Sequence, residues 1–220
     1  MLKQDLFSTF KTVSIQEEEL SLLPEKAIYW EAKKLLLIAD LHLGKSMHFR
    51  KNGIAVPAKA ENKNWEVLHQ LFEHIQPERV NFLGDLFHST YNQEWEVFTE
   101  LITSYPNIRF ELTLGNHDIL DPTLYEHSKL KVFDKLIEDP FIFTHEPLET
   151  KSDFYNLAGH IHPGVQLKGK GKQKHRLPCF YFGKTEGILP AFGSFTGLAT
   201  IKVKKSDQVF VVAGKEVISL

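Results

Sequence analysis

Leu35-Leu36-Leu37-Ile38-Ala39-Asp40-Leu41-His42 decides how this chain is read. Five consecutive apolar residues suit a strand buried on both faces, because a strand with one wet face alternates apolar with polar side chains. The run then breaks into an aspartate and a histidine two residues apart. The same construction recurs four times downstream. Val80-Asn-Phe-Leu83 runs into Gly84-Asp85, and Phe110-Glu-Leu-Thr-Leu114 runs into Gly115-Asn116-His117-Asp118. Phe141-Ile-Phe-Thr144 runs into His145, and Tyr155-Asn-Leu-Ala158 into Gly159-His160-Ile161-His162. Each strand delivers Asp, Asn or His at its carboxyl end, the edge where open α/β sheets bind ligands. In an extended segment residues i and i+2 share a face. Asp40 and His42, like His160 and His162, are therefore expected to reach one site from extended backbone. Gly84, Gly115 and Gly159 are expected to allow a sharp turn or a close approach.

Working outward, Ala27 to Trp30, Arg79 to Gly84 and Ile108 to Leu114 read as strands. Trp65, Leu68, Leu71, Phe72 and Ile75 fall at helix spacing between Ala58 and Gln76, ended by Pro77. Trp95, Phe98, Leu101 and Ile102 mark a second amphipathic helix that closes near Pro106. Helical periodicity then fades. Phe141 to Thr144, Phe154 to Ala158, Cys179 to Phe182, Ala199 to Val203 and Val209 to Val212 read as short strands. Helix-covered strands followed by a strand-rich half suggest one layered α/β domain over residues 1–220.

At 220 residues, with 42% hydrophobic and 25% charged side chains, the composition excludes wholesale disorder. The lone Cys179 excludes a disulfide framework and any Cys-built zinc site. A net charge of −2 argues against coating nucleic acid by bulk electrostatics. Met1 to Lys11 lacks the apolar core of a secretory signal, and no apolar run approaches the roughly 20 residues of a membrane span. A soluble cytoplasmic protein is the expectation, with no membrane partner. Eleven histidines is a high count, and His is both the commonest metal ligand and a common acid/base group.

Imidazole, carboxylate and amide ligands without thiolate suit Mn²⁺, Fe²⁺ or Zn²⁺. Asp40, His42, Asp85, Asn116, His145, His160 and His162 are too many ligands for one ion and about right for two that share a bridge. Two ions about 3.5–4 Å apart can clamp the attacking and leaving oxygens of an in-line phosphoryl displacement. Against Asp40 and Asp85, two divalent cations leave the site positive, which suits an anionic phosphoester.

These five motifs, in this order, resemble the signature of the calcineurin-like metallophosphoesterases. The resemblance implies a four-layered α/β fold, a central β-sandwich flanked by helices. It implies one ion on Asp40, His42 and His162, a second on Asn116, His145 and His160, and Asp85 bridging both. Mn²⁺ is the first expectation for the pair, with Fe²⁺ or Zn²⁺ as alternatives. His117 would be the catalytic group that stabilises charge at phosphorus or protonates the leaving oxygen, with Asp118 fixing its orientation. Asp40-Leu-His-Leu-Gly-Lys45, His48-Phe-Arg-Lys51, Gly53-Ile-Ala-Val-Pro57, Ala27-Ile-Tyr-Trp30 and Pro190-Ala-Phe-Gly-Ser-Phe-Thr-Gly197 are together similar to a narrower group. That group is the ligase-associated DNA damage response endonucleases, or ICC-like phosphoesterases. It implies hydrolysis of phosphodiester bonds in DNA or another nucleic acid, in DNA repair, with a helicase or ligase as partner. Two alternatives stand beside it: a small-molecule phosphodiesterase or phosphatase for cyclic nucleotides or nucleotide polyphosphates, and a non-catalytic metal-binding scaffold.

Lys45, Arg50 and Lys51 follow the first motif in a loop expected either to hold a phosphate or DNA backbone or to be simply solvated. Lys168, Lys170, Lys172, Lys174 and Arg176 would face one way in an extended strand; the alternative is a solvated hairpin tip. His69, His74, His127 and His175 are assigned to surface or packing roles. His48 and His88 lie between support of the ligands and a surface place. Trp65 and Trp95 are expected in the core.

Overall fold

The computed structural model describes residues 10–45, 59–87, 93–168, 174–194 and 196–220. Seven strands form a first sheet in chain order: β1 (Lys11–Ile15), β2 (Glu18–Leu22), β3 (Ala27–Trp30), β4 (Leu35–Ile38), β5 (Arg79–Leu83), β6 (Arg109–Thr113) and β7 (Leu130–Phe133). The strands up to β4 pair antiparallel, and from β4 onward the pairing is parallel. Parallel neighbours need crossovers, which α1 (Lys59–Ile75) and α2 (Gln93–Ser104) supply. A short α3 (Pro122–Glu126) precedes β7.

The second sheet contains β8 (Leu136–Glu138), β9 (Phe141–Thr144), β10 (Tyr155–Ala158), β11 (Pro163–Lys168), β12 (Lys174–Phe182), β13 (Glu186–Ile188) and β14 (Ala199–Thr200). Its order is β14-β11-β12-β13-β10-β9-β8, and β15 (Gln208–Ala213) joins it at β12, with β16 (Glu216–Ser219) beside β15. Among the described residues no helix is long and apolar enough to cross a membrane.

β4 shows what the aliphatic run does. Leu35 and Leu37 pack between the sheets with Phe141, Phe143, Leu157 and Phe180. Leu36 and Ile38 point the other way, toward Leu68, Phe72 and Phe98 of α1 and α2. Trp30 meets Phe141 edge-on at 5.0 Å in the inter-sheet layer. The fold is thus the expected two-sheet α/β architecture. The described helices all pack on the first sheet, while Val165, Cys179, Val209 and Val211 form a small cluster of their own in the second.

Some expectations change. β1 and β2 were not foreseen, and the strand expected over Ala199 to Val203 shortens to two residues. The basic run does not form one extended strand: Lys168 closes β11 and stands opposite Lys174, which opens antiparallel β12. Lys168 thus falls on β11 and Lys174 and Arg176 on β12, while Lys170 and Lys172 lie outside the described residues.

Where β5 and β6 face the second sheet, the interior turns polar. Arg79 donates from Nε and Nη2 to Glu111 at 3.2 and 3.0 Å, and from Nη1 to Glu138 on β8 at 2.6 Å. One guanidinium therefore ties the two sheets together. Burial alone would raise the Glu138 pKa, but the bonds from Lys33 and Arg79 prevail and hold it below the ordinary carboxylate value. A depressed folded-state pKa stabilises above the unfolded value and is lost as the pH falls through the folded value. Arg79→Ala should cost about 2–4 kcal/mol near neutral pH, discounted from a fully buried pair. In urea unfolding that deficit should shrink as Glu138 protonates in acid; a deficit under 1 kcal/mol at every pH, by the scale of exposed pairs, would contradict the inter-sheet role.

Candidate metal centre

The candidate ligands all sit just past strand ends. Asp40 and His42 follow β4, Asp85 follows β5, Asn116 follows β6, His145 follows β9, and His160 and His162 follow β10. Parallel pairing of β4 with β5, of β5 with β6, and of β9 with β10 brings these ends to one edge of the sandwich. The side chains meet there in two sets. In the first, His162 Nε2 lies 3.3 Å from His42 Nε2 and 3.3 Å from Asp40 Oδ1. In the second, His145 Nε2 lies 3.1 Å from Asn116 Oδ1, 3.1 Å from His160 Nδ1 and 3.3 Å from Asp85 Oδ1. Asp85 spans the two, because its Oδ2 is 3.8 Å from His42 Nε2.

At His145 the proton count falls short. His145 Nδ1 is 3.0 Å from the Leu83 carbonyl oxygen, which can only accept, so in the neutral ring Nδ1 carries the proton and Nε2 presents a lone pair. That lone pair faces carboxylate and amide oxygens, which are acceptors too. A cation reconciles them. Asp40, His42 and His162, and likewise Asp40, Asp85 and His145, offer ligand atoms within 4.8 Å of one another. The donor set fits a divalent ion.

The backbone that delivers these groups is strained. Asp40, His42, Asp85, His160 and His162 have φ of 53°, 51°, 50°, 66° and 51°, in the left-handed region that non-glycine residues rarely enter. The extended backbone expected for the D-x-H and H-x-H pairs is corrected accordingly. Hydrogen bonding supplies the reason. Asp40 N–H donates to Gly84 O at 3.2 Å and His42 N–H to Asp85 O at 2.9 Å, so the exit from β4 stays zipped to the exit from β5 while both turn. Ile161 N–H donates to Gly159 O at 2.7 Å and closes a tight turn around His160.

Glycine is required here by space. A Cβ on Gly159 would lie 2.7 Å from Asp40 Oδ2, and one on Gly115 would lie 2.3 Å from the Asp85 nitrogen. Backbone donors then aim the carboxylates: His160 N–H reaches both Asp40 oxygens at 3.1 and 3.0 Å, and His117 N–H reaches Asp85 Oδ1 at 3.0 Å. Buried Asp118 accepts from Phe87 N–H at 3.0 Å and Gly115 N–H at 2.9 Å, joining the loops after β5 and β6. Burial pushes its carboxyl up to about 6, against the pull of those two bonds. Neither bond reaches the His117 imidazole.

His117 is half-buried, its ring edge-on to His42 at 5.9 Å between centroids. Lys45 is half-buried too, in a cleft shared with His42, Asn64, Trp65, Glu94 and Gly193. Burial lowers its pKa, while attraction to Asp85 and Asp40 opposes the shift. Arg50, Lys51, His48 and His88 lie outside the described residues. His69, His74, His127 and His175 are exposed, and His69 and His74 bond Tyr105 and Gln70 respectively.

Two features went unread. Phe192 N–H donates to Ala39 O at 2.8 Å and Gly193 N–H to Asp40 O at 3.1 Å, strapping that segment over the first ligand loop. A Cβ on Gly193 would lie 2.6 Å from Leu41 O, the close backbone approach that an isolated glycine signals. Trp95 is buried as expected, but Trp65 is half-buried at the cleft, where its place in the apolar stripe of α1 concealed it.

The chain matches the family model described as calcineurin-like phosphoesterase over residues 33–214. Among solved structures, Pseudomonas putida nuclease MPE superposes with a TM-score of 0.77 at 28% identity, covering 96% of this chain and 100% of that one. Yfce, a phosphoesterase from E. coli, gives a TM-score of 0.40 at 11% identity over 82% of this chain and 88% of its own. None of the curated proteins matches the sequence.

Gly159→Ala should push Asp40 aside without unfolding the sheets. Calorimetric titration with Mn²⁺ is expected to show affinity weakened about 10- to 100-fold, the scale of lost support to metal ligands. Unchanged affinity would mean that Asp40 is not held as described.

Proposed function

This chain belongs to the calcineurin-like phosphoesterase family, and from that premise we propose that it hydrolyses phosphodiester bonds of DNA or another nucleic acid with two divalent metal ions, Mn²⁺ first among them. One observation carries the reading: Asp85 turns Oδ1 toward His145 and Oδ2 toward His42, one oxygen to each ligand set. Divalent ions bound there would act as Lewis acids, lowering the pKa of water and neutralising phosphoryl oxygens.

The side chains divide the remaining work. Asp40, His42 and His162 would hold one ion, Asn116, His145 and His160 the other, and Asp85 both. His145 offers Nε2 in a fixed direction because the Leu83 carbonyl holds its Nδ1 proton. His117 stands at the rim, where its imidazole can donate a proton to the leaving oxygen or offset charge at phosphorus. Asp118 holds the loops that carry Asp85 and Asn116 in register. Lys45 offers an ammonium to a phosphoryl oxygen beside His42, and the sequence assigns Arg50 and Lys51 the same part. The nuclease from Pseudomonas putida, alike over its whole length, supports a nucleic-acid substrate. The DNA-repair setting, with a helicase or ligase partner, rests on the sequence resemblance.

His117→Ala should retain bound metal by elemental analysis while turnover falls about 10²- to 10⁴-fold, the usual contribution of a positioned acid. Intact turnover would remove His117 from the mechanism. An activity panel with Mn²⁺ tests the wider reading, comparing bis-p-nitrophenyl phosphate, p-nitrophenyl phosphate, cyclic nucleotides, and single- and double-stranded DNA. Diester and DNA cleavage are expected, both abolished by Asp85→Asn. Turnover confined to cyclic nucleotides or monoesters would favour the small-molecule alternative, and no turnover with Mn²⁺, Fe²⁺ or Zn²⁺ the scaffold.

A further inference from the structure

A groove of about 520 Å³ opens beside the metal centre, and the hydrolysis as described leaves it unused. Lys26, Lys63 and Lys215 line it, with Pro24, Pro178 and Phe192 among its apolar walls. Asn64 and Ser194 line both this groove and the cleft that contains His42 and Lys45. Ser194 Oγ donates to Asn64 Oδ1 at 2.9 Å, so α1 meets the strap over Asp40 where the two spaces join. The surface is continuous from candidate metal ligand to lysines.

The lysines come from three distant parts of the chain. Half-buried Lys26 is held in the left-handed region at φ 66°, and its Nζ donates to the Phe192 carbonyl oxygen at 2.5 Å. Burial, and then the charge of Lys63, push its ammonium down to about 8. Glu25 also faces the groove, and burial raises its carboxyl pKa. Three lysines lining one groove are stabilised by an anion placed among them. A single small phosphoester at the metals would leave this groove untouched. A strand carries further phosphates along its length, and the apolar walls suit its sugars.

We propose that the groove holds the sugar–phosphate backbone flanking the scissile phosphodiester, with Lys26, Lys63 and Lys215 each meeting a phosphate. The inference rests on the nucleic-acid reading above and adds the path of the strand, running from the metals past Asn64 and Ser194.

Fluorescence anisotropy with the Mn²⁺-loaded protein and a cleavage-resistant phosphorothioate single-stranded oligonucleotide tests it. Lys63 and Lys215 are exposed, so Lys63→Gln/Lys215→Gln removes charge without disturbing packing. Its affinity at low salt is expected to fall at least about tenfold. Its plot of log K against log salt should flatten by about 1.4, since each single-strand phosphate contact contributes roughly 0.7. Lys11→Gln/Lys184→Gln, equal in charge and outside the groove, is the control. Equal affinities and slopes in the two double variants would overturn the groove alone. A wild-type protein that binds no oligonucleotide would overturn the nucleic-acid reading and the groove with it, and that failure is seen before any variant is made.

Discussion

With the Leu83 carbonyl taking the one proton of a neutral ring, His145 Nε2 faces the Asn116 and Asp85 oxygens at 3.1–3.3 Å, an arrangement that a positive charge among them stabilises. The rest of the molecule is arranged around that constraint. His145 shows it most plainly, because its proton is spent on the Leu83 carbonyl and its other nitrogen is aimed at acceptors. Two sheets deliver the ligands because neither one alone can. The first brings Asp40, His42, Asp85 and Asn116, and the second brings His145, His160 and His162.

Convergence has a structural cost, and the fold concentrates it at the strand ends. Five candidate ligands take left-handed φ, each disfavoured by roughly 1–3 kcal/mol. The surrounding bonds hold them there: β4 and β5 stay zipped through their turns, and the His160 and His117 amides fix the carboxylates. Phe192 and Gly193 close over the Asp40 loop, and Lys26 secures that strap from behind. The same strap borders the basic groove, so support for the metal centre and a path for substrate share one segment.

How much of this was legible in the sequence follows from where the signal lies. Ala27–Trp30 and Phe141–Thr144 coincide with the observed strands, because a doubly buried strand is apolar throughout and its flanks are not. β1 escaped notice although Val13 and Ile15 alternate with exposed neighbours, since five residues hold only two apolar positions. The candidate ligands were legible as side-chain types at strand ends. Their left-handed backbone was not, because Asp and His carry no mark of φ as glycine does. The basic groove was invisible for another reason: Lys26, Lys63 and Lys215 are neighbours only after both sheets and α1 have assembled.

Anomalous diffraction from crystals grown with Mn²⁺ tests the central claim most directly, that Asp85 bridges two ions. The account predicts two peaks about 3.5–4 Å apart on either side of the Asp85 carboxylate. One should be bound by Asp40, His42 and His162, the other by Asn116, His145 and His160. A single peak, or a pair with Asp85 bound to only one of them, would contradict it.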